Sequence, residues 1–132
     1  DESVTSSTTL QDDDHLTFAI GANEEWVVNF DLLVSNNGSS NGFKCAITVP
    51  SGATLDACGI TPASSGGASA SGTELFSIGS SLNLDPPFLV NISAWVLNGA
   101  TPGNITLQWA QSSATGSTTV KKGSFLRANR LA

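Results

Sequence analysis

The sequence has no tyrosine, no methionine, one histidine and few charged residues. Charged side chains make up 12% of the chain, against about 25% in ordinary globular proteins. Because helical surfaces usually need many Glu and Lys residues, this scarcity argues against helices. No apolar run approaches the ~20 residues of a membrane-spanning helix. The net charge of −6 also disfavours binding to nucleic acid or to an anionic membrane.

The sequence offers little for catalysis. Any histidine-dependent reaction would rest on His15, and neither a G-x-S-x-G nucleophile turn nor a glycine-rich phosphate loop accompanies it. Glu24 and Glu25 are adjacent, and neighbours on a strand point to opposite faces, so they make a poor carboxylate dyad. We therefore expect a protein that is not an enzyme and that carries no cofactor.

The densest polar cluster is the run Asp12-Asp13-Asp14-His15. It lacks the alternating oxygen ligands, the glycine and the distal glutamate of a calcium-binding loop. We predict a solvated turn that precedes a strand, and no metal site.

Alternation of apolar and polar residues is the strongest positive signal. Period two runs from Trp26 to Val34 and from Phe88 to Leu97, and it returns from Ile105 to Trp109. This period is typical of half-buried strands, and turn residues separate the runs at regular intervals. The pattern predicts one all-β domain over residues 1–132, with about eight antiparallel strands in a sandwich, a barrel or a jelly roll.

Two cysteines leave two possibilities open. The turn Pro50-Ser51-Gly52 would let the strands on either side pair, which would place Cys45 beside Cys58 and allow a disulfide. Two separate apolar thiols are equally compatible with the spacing.

Apolar residues on both faces of two strands indicate a covered surface. Besides the faces expected to form the core, these strands carry a second apolar set that needs a cover, namely Val27, Leu33, Leu89, Trp95 and Leu97. The basic C-terminal residues Arg127 and Arg130 could join the acidic first part of the chain or a neighbouring subunit. Trp26 and Trp109 share a register with core residues, whereas Trp95 is the best candidate for an exposed contact. A sugar-stacking platform of the three tryptophans is the alternative, which the absence of tyrosine weakens.

Three segments resemble small virion proteins of tailed bacteriophages. They are Asp1-Glu2-Ser3-Val4-Thr5-Ser6-Ser7-Thr8-Thr9-Leu10-Gln11-Asp12-Asp13, Phe43-Lys44-Cys45-Ala46-Ile47-Thr48-Val49-Pro50-Ser51-Gly52-Ala53-Thr54, and Leu107-Gln108-Trp109-Ala110-Gln111 with the terminal Gly123-Ser124-Phe125-Leu126-Arg127-Ala128. The segments span nearly the whole chain in order. The cysteine pair departs from the family pattern.

The resemblance implies a jelly-roll protein that decorates the phage capsid as a cement protein, or a tail or fibre component that contacts the host. It carries no catalytic residues to transfer. Its implied partners are the major capsid protein and further copies of itself, in a trimer, on the surface of a virion assembled in the bacterial cytoplasm. Residues 1–12 are expected to form an extended arm that reaches a neighbour. Because the chain contains no methionine, we also expect a translated segment upstream of Asp1.

Overall fold

Two antiparallel sheets pack as a sandwich in the computed structural model, which describes residues 1–37, 41–61, 65–78 and 87–132. Within these residues the chain forms strands and no helix. The all-β sandwich predicted from the alternation is confirmed, with eleven strands in place of about eight. In chain order they are β1 (Glu2–Thr5), β2 (Gln11–Ile20), β3 (Glu25–Asn36), β4 (Phe43–Thr48), β5 (Thr54–Ile60), β6 (Ser65–Ala68), β7 (Glu74–Ile78), β8 (Phe88–Leu97), β9 (Gly103–Ala110), β10 (Ser117–Val120) and β11 (Phe125–Arg130).

The strand order is that of a jelly roll. The larger sheet runs β1-β10-β3-β8-β5-β6, with β11 also paired to β3, and the smaller sheet runs β2-β9-β4-β7. When β5 and β6 are set aside, consecutive strands alternate between the sheets, except that β4 and β7 are neighbours in the smaller one. This is the double Greek-key pattern of jelly rolls. The β5–β6 pair extends the larger sheet at one edge.

The C-terminal segment forms one interrupted strand along β3. Val120 of β10 pairs with Val34, and Phe125 of β11 pairs with Asp31. Between these pairs the backbone N–H of Lys121 donates to the carbonyl of Leu33 at 2.8 Å. The chain therefore stays on the same edge of β3 through the segment that joins β10 to β11.

The Pro50-Ser51-Gly52 turn, which the sequence predicts to join paired strands, crosses between the sheets instead. β4 pairs with β7 and β9 in the smaller sheet, whereas β5 pairs with β6 and β8 in the larger one. The connection from β8 to β9, which contains Pro102, also joins different sheets. A turn that joins two strands of one sheet has the same composition as a turn that crosses between two sheets, so the sequence does not distinguish them.

The crossing separates the cysteines and rules out the predicted side-by-side placement. Cys45 lies on β4 and is fully buried in the core, while Cys58 lies on β5 and is exposed. Both thiols are free, so the disulfide considered for Cys45 and Cys58 is not formed. Burial raises the pKa of the Cys45 thiol far above its ordinary value, which keeps that thiol protonated.

The core lies between the sheets and follows the alternation of the sequence. Trp109, Phe30 and Phe43 are its largest fully buried side chains. Phe43 stacks on Trp109, with ring centroids 6.1 Å apart. Trp26 packs against the edge of this core and meets Phe18 edge to face at 5.4 Å. Both tryptophans therefore take the packing role predicted for them.

The N-terminal segment is not an extended arm in this structure. β1 pairs antiparallel with β10 of its own chain, and Val4 is buried in the core. Gln11 and Asp12, at the end of the predicted arm, already belong to β2 and pair with β9. The alternation that suggested an added strand is thus used within the chain.

Candidate interaction surface

Six of the seven residues predicted to form an interface lie on the outer face of the larger sheet. Val27 faces Trp95 and Leu33 faces Leu89 across the β3–β8 pair. The even-numbered residues of β3 and β8, such as Phe30 and Ile92, are buried in the core, so the odd-numbered side chains point outward. Leu97 and Arg127 share the outer phase of their strands. We call this face of β11, β3, β8 and β5 the outer face.

Apolar side chains gather at both ends of the outer face. Val27, Trp95 and Leu97 lie at one end and Leu33 and Leu89 lie at the other, while Phe125 lies on β11 beside Asp31. Leu89, Leu97 and Phe125 are 54%, 42% and 47% exposed, while the other three are half-buried. Exposure of this much aliphatic and aromatic surface on one rigid sheet is typical of a contact site.

A hydrogen-bonded polar band separates these apolar ends. Asp31 accepts a hydrogen bond from Nδ2 of Asn91 at 2.5 Å and one from Nη2 of Arg127 at 2.9 Å. In the next row Oγ of Ser93 donates to Oδ1 of Asn29 at 2.9 Å. Cross-strand pairs of this kind fix the sheet register. Because Asp31 and Arg127 neutralise each other, the band offers hydrogen bonding and little net charge.

Trp95 is held in place on the outer face. Its Nε1 donates to Oε1 of Glu25 at 2.8 Å, so the indole N–H already has an acceptor within the chain and needs none from a partner. A shallow depression of about 310 Å³ lies beside the ring and is lined by Val27, Asp56 and Ser93 among others. A positioned tryptophan next to a depression suits a protein side chain or a sugar ring.

Arg130 does not belong to the outer face. It pairs with Trp26 on the opposite phase of β11, and its Nη1 lies 2.8 Å from Oε1 of Glu24. Glu24 also accepts hydrogen bonds from the backbone N–H of Gly21 at 2.7 Å and from Nε1 of Trp26 at 3.1 Å. Arg130 thus lies apart from the other six residues, with its charge paired within the chain, and its role in an interface stays a prediction.

Glu24 should give the fold a pH-dependent contribution. The hydrogen bond from Gly21, followed by that from Trp26 and by the charge of Arg130, lowers the pKa of Glu24 below its ordinary value of 4.5. A carboxyl group whose pKa is lowered in the folded state stabilises the fold at pH values above its ordinary pKa. This contribution is lost as the pH falls through the lowered pKa. We expect Glu24→Gln to lower the urea midpoint at pH 7, with the difference from wild type shrinking below pH 4.5.

Glu2→Gln is the matched control for this titration. Desolvation, together with the charges of Asp13 and Asp14, raises the pKa of Glu2 despite its hydrogen bond from the backbone of Asp14. Ionised Glu2 therefore disfavours folding above its raised pKa, and its pH dependence has the opposite sign. If both variants follow wild type in parallel across the acid range, this account of Glu24 is wrong.

The acidic run forms a structured bulge and not the solvated turn that we predicted. The register of β2 against β9 shifts between Asp12 and Thr17, which directs Asp13 inward at 4% exposure. Its Oδ1 accepts the backbone N–H groups of His15 and Leu16 at 2.9 and 2.8 Å, and its Oδ2 accepts Nε1 of the buried Trp109 at 3.1 Å. Asp13 thus satisfies three donors at the edge of the core.

Glu2 and His15 lie beside Asp13 at the open edge of the sandwich. One carboxylate oxygen each from Glu2 and Asp13 and one imidazole nitrogen of His15 lie within 4.8 Å of one another. Glu2 comes from β1 of the larger sheet, whereas Asp13 and His15 come from β2 of the smaller sheet. The cluster therefore spans the gap between the two sheets.

Comparison of the chain with protein-family models, with curated proteins and with solved structures finds no match in any of the three. The resemblance to phage virion proteins therefore stays a prediction. Within the part of the chain that the structure describes, no helix is long and apolar enough to cross a membrane.

Proposed function

We propose that this protein is a non-catalytic structural protein of a bacteriophage virion, and that its outer face docks on the major capsid protein as a decoration, or cement, protein. The observation that carries the proposal is the outer face itself. It holds Trp95, Leu97, Leu89 and Phe125 at the surface of a rigid sheet, around a neutral polar band. This combination of aromatic and aliphatic anchors with internally satisfied polar groups is typical of a protein contact site.

The outer face has the size that a protein contact requires. Strands lie about 4.8 Å apart and rise about 3.4 Å per residue, so four strands with ten-residue central members cover roughly 20 by 30 Å. A standard interface removes about 800 Å² of each partner from water. Docking of this one face would supply most of that area.

The jelly-roll architecture is compatible with the proposal, although folds do not determine functions. Jelly rolls occur in viral capsid proteins, in lectins and in cupins. A cement protein needs a stiff scaffold and many copies, because weak contacts repeated by symmetry add up through multivalency. A homotrimer would present three such faces, and we propose it as the assembled form on the capsid surface.

The copy number in purified particles tests the proposal directly. Quantitative mass spectrometry of the chain against the major capsid protein should give a ratio near one to one for a cement protein. A few dozen copies or fewer would place the chain in the tail or fibres. Absence from the particle would overturn the virion assignment.

Substitution on the outer face should abolish docking without unfolding the chain. We expect Trp95→Ala combined with Leu97→Ser to weaken binding to undecorated particles at least about a hundredfold, since aromatic anchors that become buried dominate interface energies. Gln108→Ala, on the outer face of the smaller sheet, should leave binding unchanged. Cosedimentation over a concentration series measures both, and circular dichroism checks that the variants fold. Equal binding by all three proteins would contradict docking through this face.

The depression beside Trp95 favours sugar binding as a second candidate function. Asp56 and Ser93 line it next to the indole, and a carbohydrate-binding module would use such groups to hydrogen-bond a stacked ring. A glycan array with wild type and Trp95→Ala distinguishes the two functions. Saturable glycan binding that Trp95→Ala removes would support the sugar-binding module and count against the cement protein.

A further inference from the structure

We propose that Glu2, Asp13 and His15 form a binding site for a divalent transition-metal ion, which would link the two sheets at the open edge of the sandwich. The proposal does not depend on the outer face, which lies on the opposite side of the larger sheet's backbone. It rests on the ligand set, on a buried carboxylate that has no cationic partner, and on a cavity over the three groups.

The ligand set is one imidazole nitrogen and two carboxylate oxygens. The three atoms lie within 4.8 Å of one another. Bonds of about 2.1 Å in a tetrahedral site place ligand atoms about 3.4 Å apart, so the ligand atoms must approach one another by at most about 1.4 Å. Exposed His15 and partly exposed Glu2 can make that movement by rotating. An imidazole with two carboxylates suits Zn²⁺ and its neighbours, whereas Ca²⁺ takes oxygen ligands.

Asp13 is already oriented as a metal-binding carboxylate would need to be. Its three N–H donors, from His15, Leu16 and Trp109, fix the plane of the carboxylate. A carboxylate has about four lone-pair positions, so one on Oδ2 stays free for a metal ion. Hydrogen bonds of this kind to a ligating carboxylate are usual around protein metal sites.

No lysine or arginine forms an ion pair with the acidic cluster among the described residues. The ion pairs found there join Lys44 to Glu74, Lys121 to Asp1, Arg127 to Asp31 and Arg130 to Glu24. None of them involves Glu2, Asp13 or Asp14, although Asp13 is only 4% exposed. Buried charges in proteins are generally paired or coordinate metals, and a bound cation would provide the missing charge.

A cavity gives the ion room and access. About 280 Å³ of space opens over Glu2, Asp13 and His15, with Leu16 and Val120 as its apolar floor. This volume holds the water molecules that would complete the coordination shell. Lys121 and Lys122 also line the cavity, and the carboxylate of Asp1 lies 3.5 Å from Nζ of Lys121 and accepts the backbone N–H of Lys122 at 2.7 Å.

The only histidine in the chain makes the test specific, since the imidazole signals in an NMR spectrum can come from His15 alone. After treatment with a chelator, the protein is titrated with ZnCl₂ and separately with CaCl₂. We expect saturable binding of one Zn²⁺ that shifts the His15 signals, no comparable shift with Ca²⁺, and a melting temperature that rises with free Zn²⁺.

Two ligand variants and one matched control complete the experiment. Calorimetry should show at least about tenfold weaker Zn²⁺ binding for Glu2→Gln and for His15→Gln, because each removes one ligand. Asp12→Asn removes a neighbouring charge but no ligand, and it should bind Zn²⁺ within about twofold of wild type. The proposal is overturned if Zn²⁺ leaves the His15 signals unchanged, or if Glu2→Gln weakens binding no more than Asp12→Asn does.

Discussion

Replacing Asp13 by alanine is expected to lower the free energy of unfolding by about 3 kcal/mol or more, because hydrogen bonds to charged groups contribute about 1.5–3 kcal/mol each. The substitution removes the acceptor for three donors at once. One of them, Nε1 of Trp109, is on a fully buried side chain and would lose the acceptor that Asp13 provides. The other two are the backbone N–H groups of His15 and Leu16, which hold the bulge of β2.

Asp12→Ala is the matched control, one residue away on the same strand. Asp12 is exposed and accepts a single hydrogen bond, from Nε2 of Gln108 at 2.8 Å. Its loss should cost less than about 1 kcal/mol. Urea unfolding monitored by tryptophan fluorescence measures both variants, and Trp109 should report the loss of its partner in the Asp13 variant. Similar midpoints for the two variants would mean that Asp13 does not organise the bulge.

The individual strands could be predicted because the side chain of a strand residue points to one of only two faces of the sheet. Period two from Trp26 to Val34 and from Phe88 to Val96 identifies both the strands and their buried faces, and the buried residues are those of the predicted phase. The same period identifies the second apolar set on the outer face, including Trp95 and Leu97. Local alternation is enough for these assignments, since consecutive side chains of a regular strand point to opposite faces.

The pairing of strands could not be read from the same pattern. The Pro50-Ser51-Gly52 turn has the composition of a hairpin, yet it carries the chain from β4 in one sheet to β5 in the other. What decides is which partner buries each strand, and that depends on residues far away in sequence, such as those of β8 and β9. The predicted proximity of Cys45 and Cys58 failed for this reason, since it assumed that neighbours in sequence are partners in the sheet.

A bulge in β2 explains why the prediction for the acidic run was wrong. The even-numbered phase of Leu16 and Ile20, continued backwards, would direct Asp12 and Asp14 inward, but the shift in β2 directs Asp13 inward instead. A bulge adds a residue without a distinctive sequence signal when no glycine is present. The sequence therefore shows an acidic run but not that one of its carboxylates is buried against Trp109.

A second large loss of stability is expected for Gly42→Ala, at the end of the sandwich where loops from both sheets meet. Gly42 has a φ of +58°, and a Cβ there would lie 2.3 Å from the carbonyl oxygen of Ile78 and 1.8 Å from Oγ of Ser112. That oxygen and that hydroxyl are hydrogen-bonded to each other at 2.8 Å. The left-handed backbone costs alanine about 1–2 kcal/mol. Overpacking adds about 1–3 kcal/mol, so we expect a total near 3 kcal/mol.

Gly52→Ala separates the two contributions to this loss. Gly52 has a φ of +82°, which strains an alanine in a similar way, but a Cβ at that position meets nothing within 4 Å. Gly52→Ala should therefore cost only the backbone contribution, about 1–2 kcal/mol. The excess in Gly42→Ala, measured by urea unfolding of both variants, then reports the close packing of Gly42 against Ser112 and Ile78. Equal losses would show that this end of the sandwich yields to a methyl group, and that the hydrogen bond from Ser112 to Ile78 does not hold it rigid.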